Sequence, residues 1–392
     1  MKKLTYYFFL ALVPTMSCKE KYLPALNLPA TSFLVVEGYI NSGSGATNIT
    51  LSRTIKLTDT TTILYETKAT VRVEGKNNTS AIQLTEGTPG RYTIAQLTLN
   101  PNDQYRLRIK TSNGKEYVSD FSAVRSTPTI DSISWVRENA GVQIYANTHD
   151  PLAKTRYYQY VYDETWEFHS KYSQSLKLTY GPNGQIKAVG YKDSSTFNYD
   201  STVFKCWKTA NITAIAIATS EQLSLDVISL KKIQFIENGS WKLSQLYSMS
   251  VKQRALSKDA YRFLEQLKKN TEQIGSIFDA QPSENNGNIK CVSNPNEIAI
   301  GFVEVTEEKE KRLWISKSSL PNWVWNTGCD IEIKVPNHPD SLMVFMPPSS
   351  YQLTNVAETN PSGTVITYVF GAASTCVDCR LLGVNKKPAF WP

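Results

Sequence analysis

Residues 158–168 read YQYVYDETWEF, and large aromatic side chains occupy every second position of this stretch except that of Glu164. Successive side chains of a β-strand point to opposite faces, so the aromatic side chains share one face if the stretch is extended. Such a face is typical of a strand that covers a hydrophobic core. Together with the shorter strand patterns on either side, the stretch predicts a mainly β protein.

The residues before this stretch predict a first domain. Residues 105–110 (YRLRIK) alternate strictly between apolar and cationic side chains, as in a strand with one buried face. Turn signals at 75–78, 89–90 and 113–114 separate further short strands. The number and spacing of these strands, about seven, predict an immunoglobulin-like β-sandwich over residues 31–125.

The residues after Ser126-Thr127-Pro128 predict a larger β-rich region. Within it, apolar side chains recur with helical spacing after Ser257, a residue type that often caps helices. We therefore predict one α-helix at about 257–272. The expected division is a second β-rich domain with this helix over 126–310 and a C-terminal β-rich part over 311–392 that packs on it.

The first 30 residues have the composition of an export leader followed by a linker. Two lysines precede an apolar run over residues 4–13, which is too short to span a membrane because a spanning helix needs roughly 20 apolar residues. A small residue then precedes Cys18, as at a lipoprotein cleavage site. We predict a signal peptide at 1–17, lipidation of Cys18 and a lipidated tether at 18–30. The alternative is that Cys18 is an ordinary residue of a secreted protein's leader.

Five cysteines follow Cys18, and in an oxidising compartment we expect two disulfides and one spare thiol. The candidates are Cys206, Cys291, Cys329, Cys376 and Cys379. Cys376 and Cys379 have the spacing of a zinc or redox pair, so a metal knuckle completed by Cys291 and Cys329, or a thiol exchanger, is an alternative. The sequence contains no second such pair. We therefore predict structural disulfides and no metal site. The sequence leaves open which cysteines pair with each other.

The sequence contains few candidates for catalysis. Its three histidines lack metal-ligand spacing, and it has no nucleophile elbow, phosphate-binding loop or calcium loop. The remaining candidates are the carboxylates Asp163, Glu164 and Glu167, because a glycosidase needs two carboxylates beside a sugar-binding surface. Acidic residues are common on exposed strand faces, so we predict that the protein is not an enzyme and has no cofactor.

Aromatic side chains are the candidate contacts for a ligand or partner, and the five selected are Tyr158, Tyr160, Trp166, Trp323 and Trp325. Both indoles of residues 323–325 share one face if that segment is extended. The same side chains also suit a hydrophobic core, which is the interpretation that the pattern favours. The net charge of +7 is spread along the chain, so we predict no binding to nucleic acid.

Several motifs resemble those of a known family. They include Leu51-Ser52-Arg53-Thr54, Gly114-Lys115 with Tyr117, Cys206-Trp207, Tyr247-Ser248-Met249-Ser250-Val251, Asn294-Pro295 with Glu297, and Asp378-Cys379-Arg380. The chain resembles, over nearly its whole mature length, an uncharacterised family of Bacteroidetes envelope lipoproteins known as domain of unknown function 4249. Most members have Gly-Gly where this chain has Leu382-Gly383.

The resemblance implies a place in the cell but no established activity. Members look like products of genes beside TonB-dependent outer-membrane transporters, which implies an accessory lipoprotein that caps or feeds such a barrel. Lys19-Glu20-Lys21 is similar to the signals that send such lipoproteins to the cell surface. The expectation is therefore a non-catalytic transporter partner, held in the outer membrane by its lipid and facing outward, with an unidentified ligand. The alternatives are a structural or adhesive surface protein and a carboxylate-based envelope hydrolase.

Overall fold

The structure, a computed structural model, describes residues 32–55, 63–77, 81–192, 201–272 and 287–392. The predicted signal peptide (1–17), Cys18 and the predicted tether (18–30) lie outside the described residues. Strands dominate the described part of the chain, so the prediction of a mainly β fold is confirmed. Within that part, the helices are all too short or too polar to cross a lipid bilayer.

The elements follow one another along the chain in three groups. The first contains β1 (Leu34–Asn41), β2 (Thr47–Arg53), β3 (Leu64–Tyr65), β4 (Thr70–Gly75), β5 (Ala81–Gln83), β6 (Thr85–Glu86), β7 (Arg91–Ile94), β8 (Gln104–Lys110), β9 (Glu116–Ser119) and β10 (Ser122–Ala123). The second contains β11 (Ile130–Glu138), β12 (Gly141–His149), β13 (Tyr157–His169), β14 (Leu176–Tyr180), β15 (Ile186–Tyr191), α1 (Ser201–Phe204), β16 (Lys205–Thr219), β17 (Val227–Glu237), β18 (Leu246–Ala255) and α2 (Lys258–Glu272). The third contains β19 (Ile289–Cys291), β20 (Ala299–Ile300), β21 (Val305–Thr306), β22 (Glu308–Ser316), β23 (Ile333–Pro336), α3 (Pro339–Phe345), β24 (Tyr351–Thr359), β25 (Ile366–Ala373) and α4 (Ser374–Val377).

Two sheets form a sandwich in the first unit of the fold. One sheet has the strand order β20-β1-β2-β7-β6, and the other has the order β19-β9-β8-β4-β5. β8 alternates as its sequence predicts: Leu107 and Ile109 are fully buried in the shared core, while Arg106 and Arg108 both pair with Glu74 on the outer face. Burial of one apolar face per strand thus produces the sandwich.

The sandwich includes chain from well beyond residue 125. β19 pairs with β9, and both β20 and β21 run parallel to β1. The predicted second domain, residues 126–310, includes these three short strands. In the structure they pair with strands of the first unit instead. They complete the first unit because β1 would otherwise leave its backbone groups unpaired on that side.

The second unit is also built from two sheets, with the orders β11-β12-β17 and β16-β13-β18-β22. β13 is central in the larger sheet, and its aromatic face is buried in the core between the sheets. α2 matches the predicted helix, and the hydroxyl of Ser257 accepts a hydrogen bond from the backbone N–H of Ala260 at 3.0 Å, as an N-cap does.

A smaller group of strands ends the chain. β23, β25 and β24 form a sheet whose apolar residues Val335 and Val369 pack with Leu176 and Ile186 of the β14-β15 hairpin. The hairpin thus contributes apolar side chains to this small C-terminal core.

Candidate functional site

A polar cleft of about 720 Å³ opens on the first unit. Its walls come from the ends of β2 and β3, the turn between β8 and β9, and the loop between β19 and β20. Charged, amide and apolar side chains all contribute: Arg53, Glu66, Lys115 and Glu297; Asn113, Asn294 and Asn296; and Phe33, Leu64 and Tyr65. The volume lies within the range of ligand-binding pockets, and several polar groups converge in the cleft.

Arg53 and Glu66 form the first charged pair of the cleft. The pairing of β2 with β3 brings the two residues together, and Arg53 Nε donates to a Glu66 carboxylate oxygen at 2.6 Å. Each side chain is only 10% exposed. Burial alone would lower the pKa of Arg53, but the hydrogen bond and charge of Glu66 raise this pKa above its ordinary value. Arg53 therefore remains charged, and its bond to Glu66 holds the two side chains together.

Glu297 is the centre of the second charged group. Its carboxylate accepts hydrogen bonds from Lys115 Nζ and from the hydroxyl of Tyr117, and it lies 4.0 Å from Arg53 Nη1. Burial would raise the pKa of Glu297, but the bonds from Lys115 and Tyr117 lower it below its ordinary value. Glu297 therefore stays ionised near neutral pH and is poorly suited to donate a proton.

Among the described residues, the charges that line the cleft compensate one another. Two carboxylates, Glu66 and Glu297, face two cations, Arg53 and Lys115, through the contacts just described. Such a network holds its side chains in fixed positions while their remaining lone pairs and N–H groups can still contact a ligand. The arrangement can bind and orient a polar molecule.

Tyr65 forms an apolar wall of the cleft on the short edge strand β3. Its side chain is 43% exposed. The ring rests against Gly90, which has a φ of +72°, and a β-carbon at that position would lie 2.8 Å from ring atom Cδ1. Glycine is therefore required at position 90 both for the backbone conformation and for the room that the ring occupies.

Three of the aromatic candidates from the sequence are core residues. Tyr158, Tyr160 and Trp166 are all buried between the two sheets of the second unit, so their assignment as ligand or partner contacts is wrong. The reason is that their shared strand face covers the core. Trp323 and Trp325 are only partly buried. Their rings lie 6.1 Å apart at the edge of the same core, and Val324 between them is 90% exposed.

The three candidate carboxylates lie on β13, away from the cleft. Glu164 is fully buried, accepts a hydrogen bond from Tyr247 at 2.7 Å and pairs with Lys242 at 2.6 Å. Asp163 lies 3.9 Å from Lys252, and Glu167 pairs with Lys205 at 3.0 Å. Each carboxylate thus has a cationic partner in the second unit.

The five cysteines among the described residues form two disulfides and leave one buried thiol, as the sequence predicts. Cys206 is bonded to Cys379, Cys329 to Cys376, and Cys291 is free. The close pair Cys376 and Cys379 therefore belongs to two different disulfides. Among the described residues, no group of three or more His, Cys, Asp or Glu side chains is arranged to hold a metal ion.

The sequence did not reveal the cleft. Arg53, Lys115, Tyr117 and Glu297 occur in motifs that carry the family resemblance, but they lie in three separate stretches of chain. Glu66 occurs in no such motif. The charged residues of these motifs were a signal for a polar site. Their proximity, however, depends on the pairing of β19 and β20 with the first unit.

The sequence model of one protein family matches most of the chain. The family is described as Domain of unknown function (DUF4249), and the match covers residues 19–312. It includes every charged residue of the cleft. No curated protein matches this chain.

Proposed function

The chain belongs to the family of domain of unknown function 4249, and from this membership we propose that it is a lipid-anchored, non-catalytic partner of a TonB-dependent transporter in the outer membrane of a Bacteroidetes bacterium. The leader that ends at Cys18 supports the lipid anchor. The resemblance to lipoproteins encoded beside such transporters supports the partnership. In this role the protein helps to capture or enclose the ligand that the transporter takes up.

The observation that carries the binding role is the compensated charge of the cleft. A general acid needs a pKa near the working pH, whereas the pKa of Glu297 is lowered and that of its neighbour Arg53 is raised. These residues hold fixed charges instead of transferring protons. This favours a binding role for the cleft over general-acid catalysis by Glu297.

The proposed anchoring uses two contacts. A single acyl chain holds a protein at a membrane only weakly, so a second contact with the barrel would give stable attachment. We assign that contact to the segment around Val324, because an apolar side chain exposed between two tryptophans suits a protein interface.

A structural or adhesive role is the second candidate, and the junction between the first two units favours it. Tyr39 of β1 donates a hydrogen bond to Glu308 of β22 at 2.7 Å, and Arg254 of β18 lies 3.9 Å above the Tyr39 ring. Such contacts stiffen a spacer. A spacer would be found on the cell surface without a bound transporter.

Capture of the full-length protein from native membranes tests the proposal. We expect an antibody to recover it with a TonB-dependent barrel after extraction in mild detergent, identified by mass spectrometry. Cys18→Ser should abolish incorporation of radiolabelled palmitate, and Val324→Asp should reduce barrel recovery. Leu152→Asp is the matched control, since Leu152 is also an exposed apolar residue but lies elsewhere in the second unit. Recovery of lipidated protein without any barrel would contradict the partnership and favour the spacer.

A further inference from the structure

The cleft has the features of a site for an uncharged, hydroxyl-rich ligand. Its two cations already have carboxylate partners: Arg53 lies 2.6 Å from Glu66, and Lys115 is bonded to Glu297. An anionic ligand would have to compete with these carboxylates, and a cationic ligand would have to displace the cations. A neutral polar ligand avoids both costs.

The polar rim of the cleft presents amide groups on two turns. In the turn between β8 and β9, the Asn113 side-chain oxygen accepts a hydrogen bond from the hydroxyl of Thr111 at 2.7 Å. In the loop between β19 and β20, the Asn294 side-chain oxygen accepts from the backbone N–H of Asn296 at 3.3 Å. With each oxygen engaged inside its turn, the NH2 group of the same amide keeps its two N–H donors for other partners. Hydroxyl groups, which both donate and accept, match such a rim.

The Tyr65 ring supplies the apolar part of the site. It lies against Gly90, and Tyr65 is 43% exposed, so the side chain offers an aromatic surface beside the charged pairs. A sugar ring has apolar C–H groups on its faces and hydroxyl groups around its edge. An aromatic ring next to amides and charged hydrogen-bonding groups complements both parts at once.

We propose that this cleft binds a neutral oligosaccharide, with Tyr65 stacked on a sugar ring and Asn113, Asn294 and the Glu297–Lys115 pair bonded to its hydroxyl groups. This inference deepens the proposed function, since it names the class of ligand that the accessory protein would hold. The volume of about 720 Å³ suits a short oligosaccharide segment.

The test is titration of the purified full-length protein in detergent with defined probes. Binding is measured by isothermal titration calorimetry and by saturation-transfer NMR. The neutral probes are maltotriose, cellotriose, xylotriose and chitotriose, and the charged probes are triglutamate, trilysine and inorganic phosphate. We expect at least one neutral probe to bind with a Kd on the order of 1 mM or tighter, and the charged probes to bind more weakly. Binding of a charged probe in preference, or no binding of any neutral probe at about 10 mM, overturns the proposal.

Variants of Tyr65 assign the binding to the cleft. We expect Tyr65→Ala to weaken binding of the neutral probe about tenfold or more and Tyr65→Phe to restore most of it, because the ring is what the sugar contacts. Tyr180→Ala is the matched control, because Tyr180 is a similarly exposed tyrosine on the β14-β15 hairpin. Equal affinity of Tyr65→Ala and the unaltered protein would overturn the assignment. The titration needs no transporter, so its failure is distinct from a failure to recover a barrel.

Discussion

The two carboxylate oxygens of Glu304 accept hydrogen bonds from the backbone N–H of Ser257 at 3.1 Å and 3.2 Å. Ser257 caps α2 in the second unit, whereas Glu304 lies between β20 and β21 of the first sandwich. Arg125, at the end of the first unit's own stretch of chain, lies 3.6 Å from the same carboxylate. A negative charge at the start of α2 also complements the helix dipole. Glu304 thus joins the two units at one buried point.

Titration of Glu304 should make the stability of this junction depend on pH. Burial raises the pKa of Glu304, although Ser257 and Arg125 oppose this rise. The folded state therefore binds the proton more tightly than the unfolded state does. The contribution of this group to stability is fully present below its unfolded pKa and is lost as pH rises through the raised folded pKa.

Substitution of Glu304 by an amide tests this dependence. We expect Glu304→Gln to flatten the fall in unfolding free energy as pH rises above about 4.3, the ordinary pKa of a glutamate, measured by urea titration. Glu358→Gln is the control, because Glu358 forms an exposed pair with Lys334 in the C-terminal sheet. If the pH profiles of Glu304→Gln and the unaltered protein run parallel, the junction does not titrate in this way.

The Arg53–Glu66 pair should be worth far more to stability than a surface pair. Glu66→Ala leaves the Arg53 guanidinium in a site where it is 10% exposed and has lost its closest carboxylate, so we expect a cost of roughly 3 kcal/mol in unfolding free energy. Glu358→Ala should cost less than about 1 kcal/mol. The double variant Arg53→Ala with Glu66→Ala should cost less than the sum of the single variants. Equal effects of Glu66→Ala and Glu358→Ala in chemical denaturation would contradict this view of the cleft.

Local sequence patterns predicted the parts of the fold that depend on neighbouring residues. The alternation at 105–110 corresponds to β8, and the helical spacing after Ser257 corresponds to α2. In each case one face of a single strand or helix is apolar and faces the core. The period of the apolar residues is then enough to predict the element. The aromatic stripe of β13 was likewise identified as a strand face, and its burial follows from the amount of apolar area that it carries.

Long-range pairing was not predictable from the same patterns. β20 and β21 are two residues long, too short to show a period, and they pair with β1 more than 250 positions earlier. The cleft depends on this pairing because Glu297 lies just before β20. The charged residues of the site could be read from the sequence, but their proximity could not.

The two disulfides should differ in their effect on stability. Cys206 and Cys379 are 173 positions apart, whereas Cys329 and Cys376 are 47 positions apart. A longer closed loop constrains the unfolded chain more, so replacing Cys206 and Cys379 by Ser should cost about 1 kcal/mol more than replacing the other pair. Urea titration of both double variants measures this difference. The opposite order would show that native contacts, and not loop length, dominate.

The fully buried hydroxyl of Tyr158 should contribute to the unfolding free energy in addition to the packing of the aromatic ring. This hydroxyl donates to Asp226 at 2.7 Å, and Asp226 is itself buried and also accepts from Ser220. Tyr158→Phe keeps the ring in the core but removes one donor from a buried carboxylate, so we expect a loss of about 2 kcal/mol. Tyr180→Phe, on an exposed tyrosine, should change the unfolding free energy by less than about 0.5 kcal/mol. An unchanged unfolding free energy for Tyr158→Phe would mean that water replaces the lost donor. The second unit would then open near Asp226 more readily than its packing indicates.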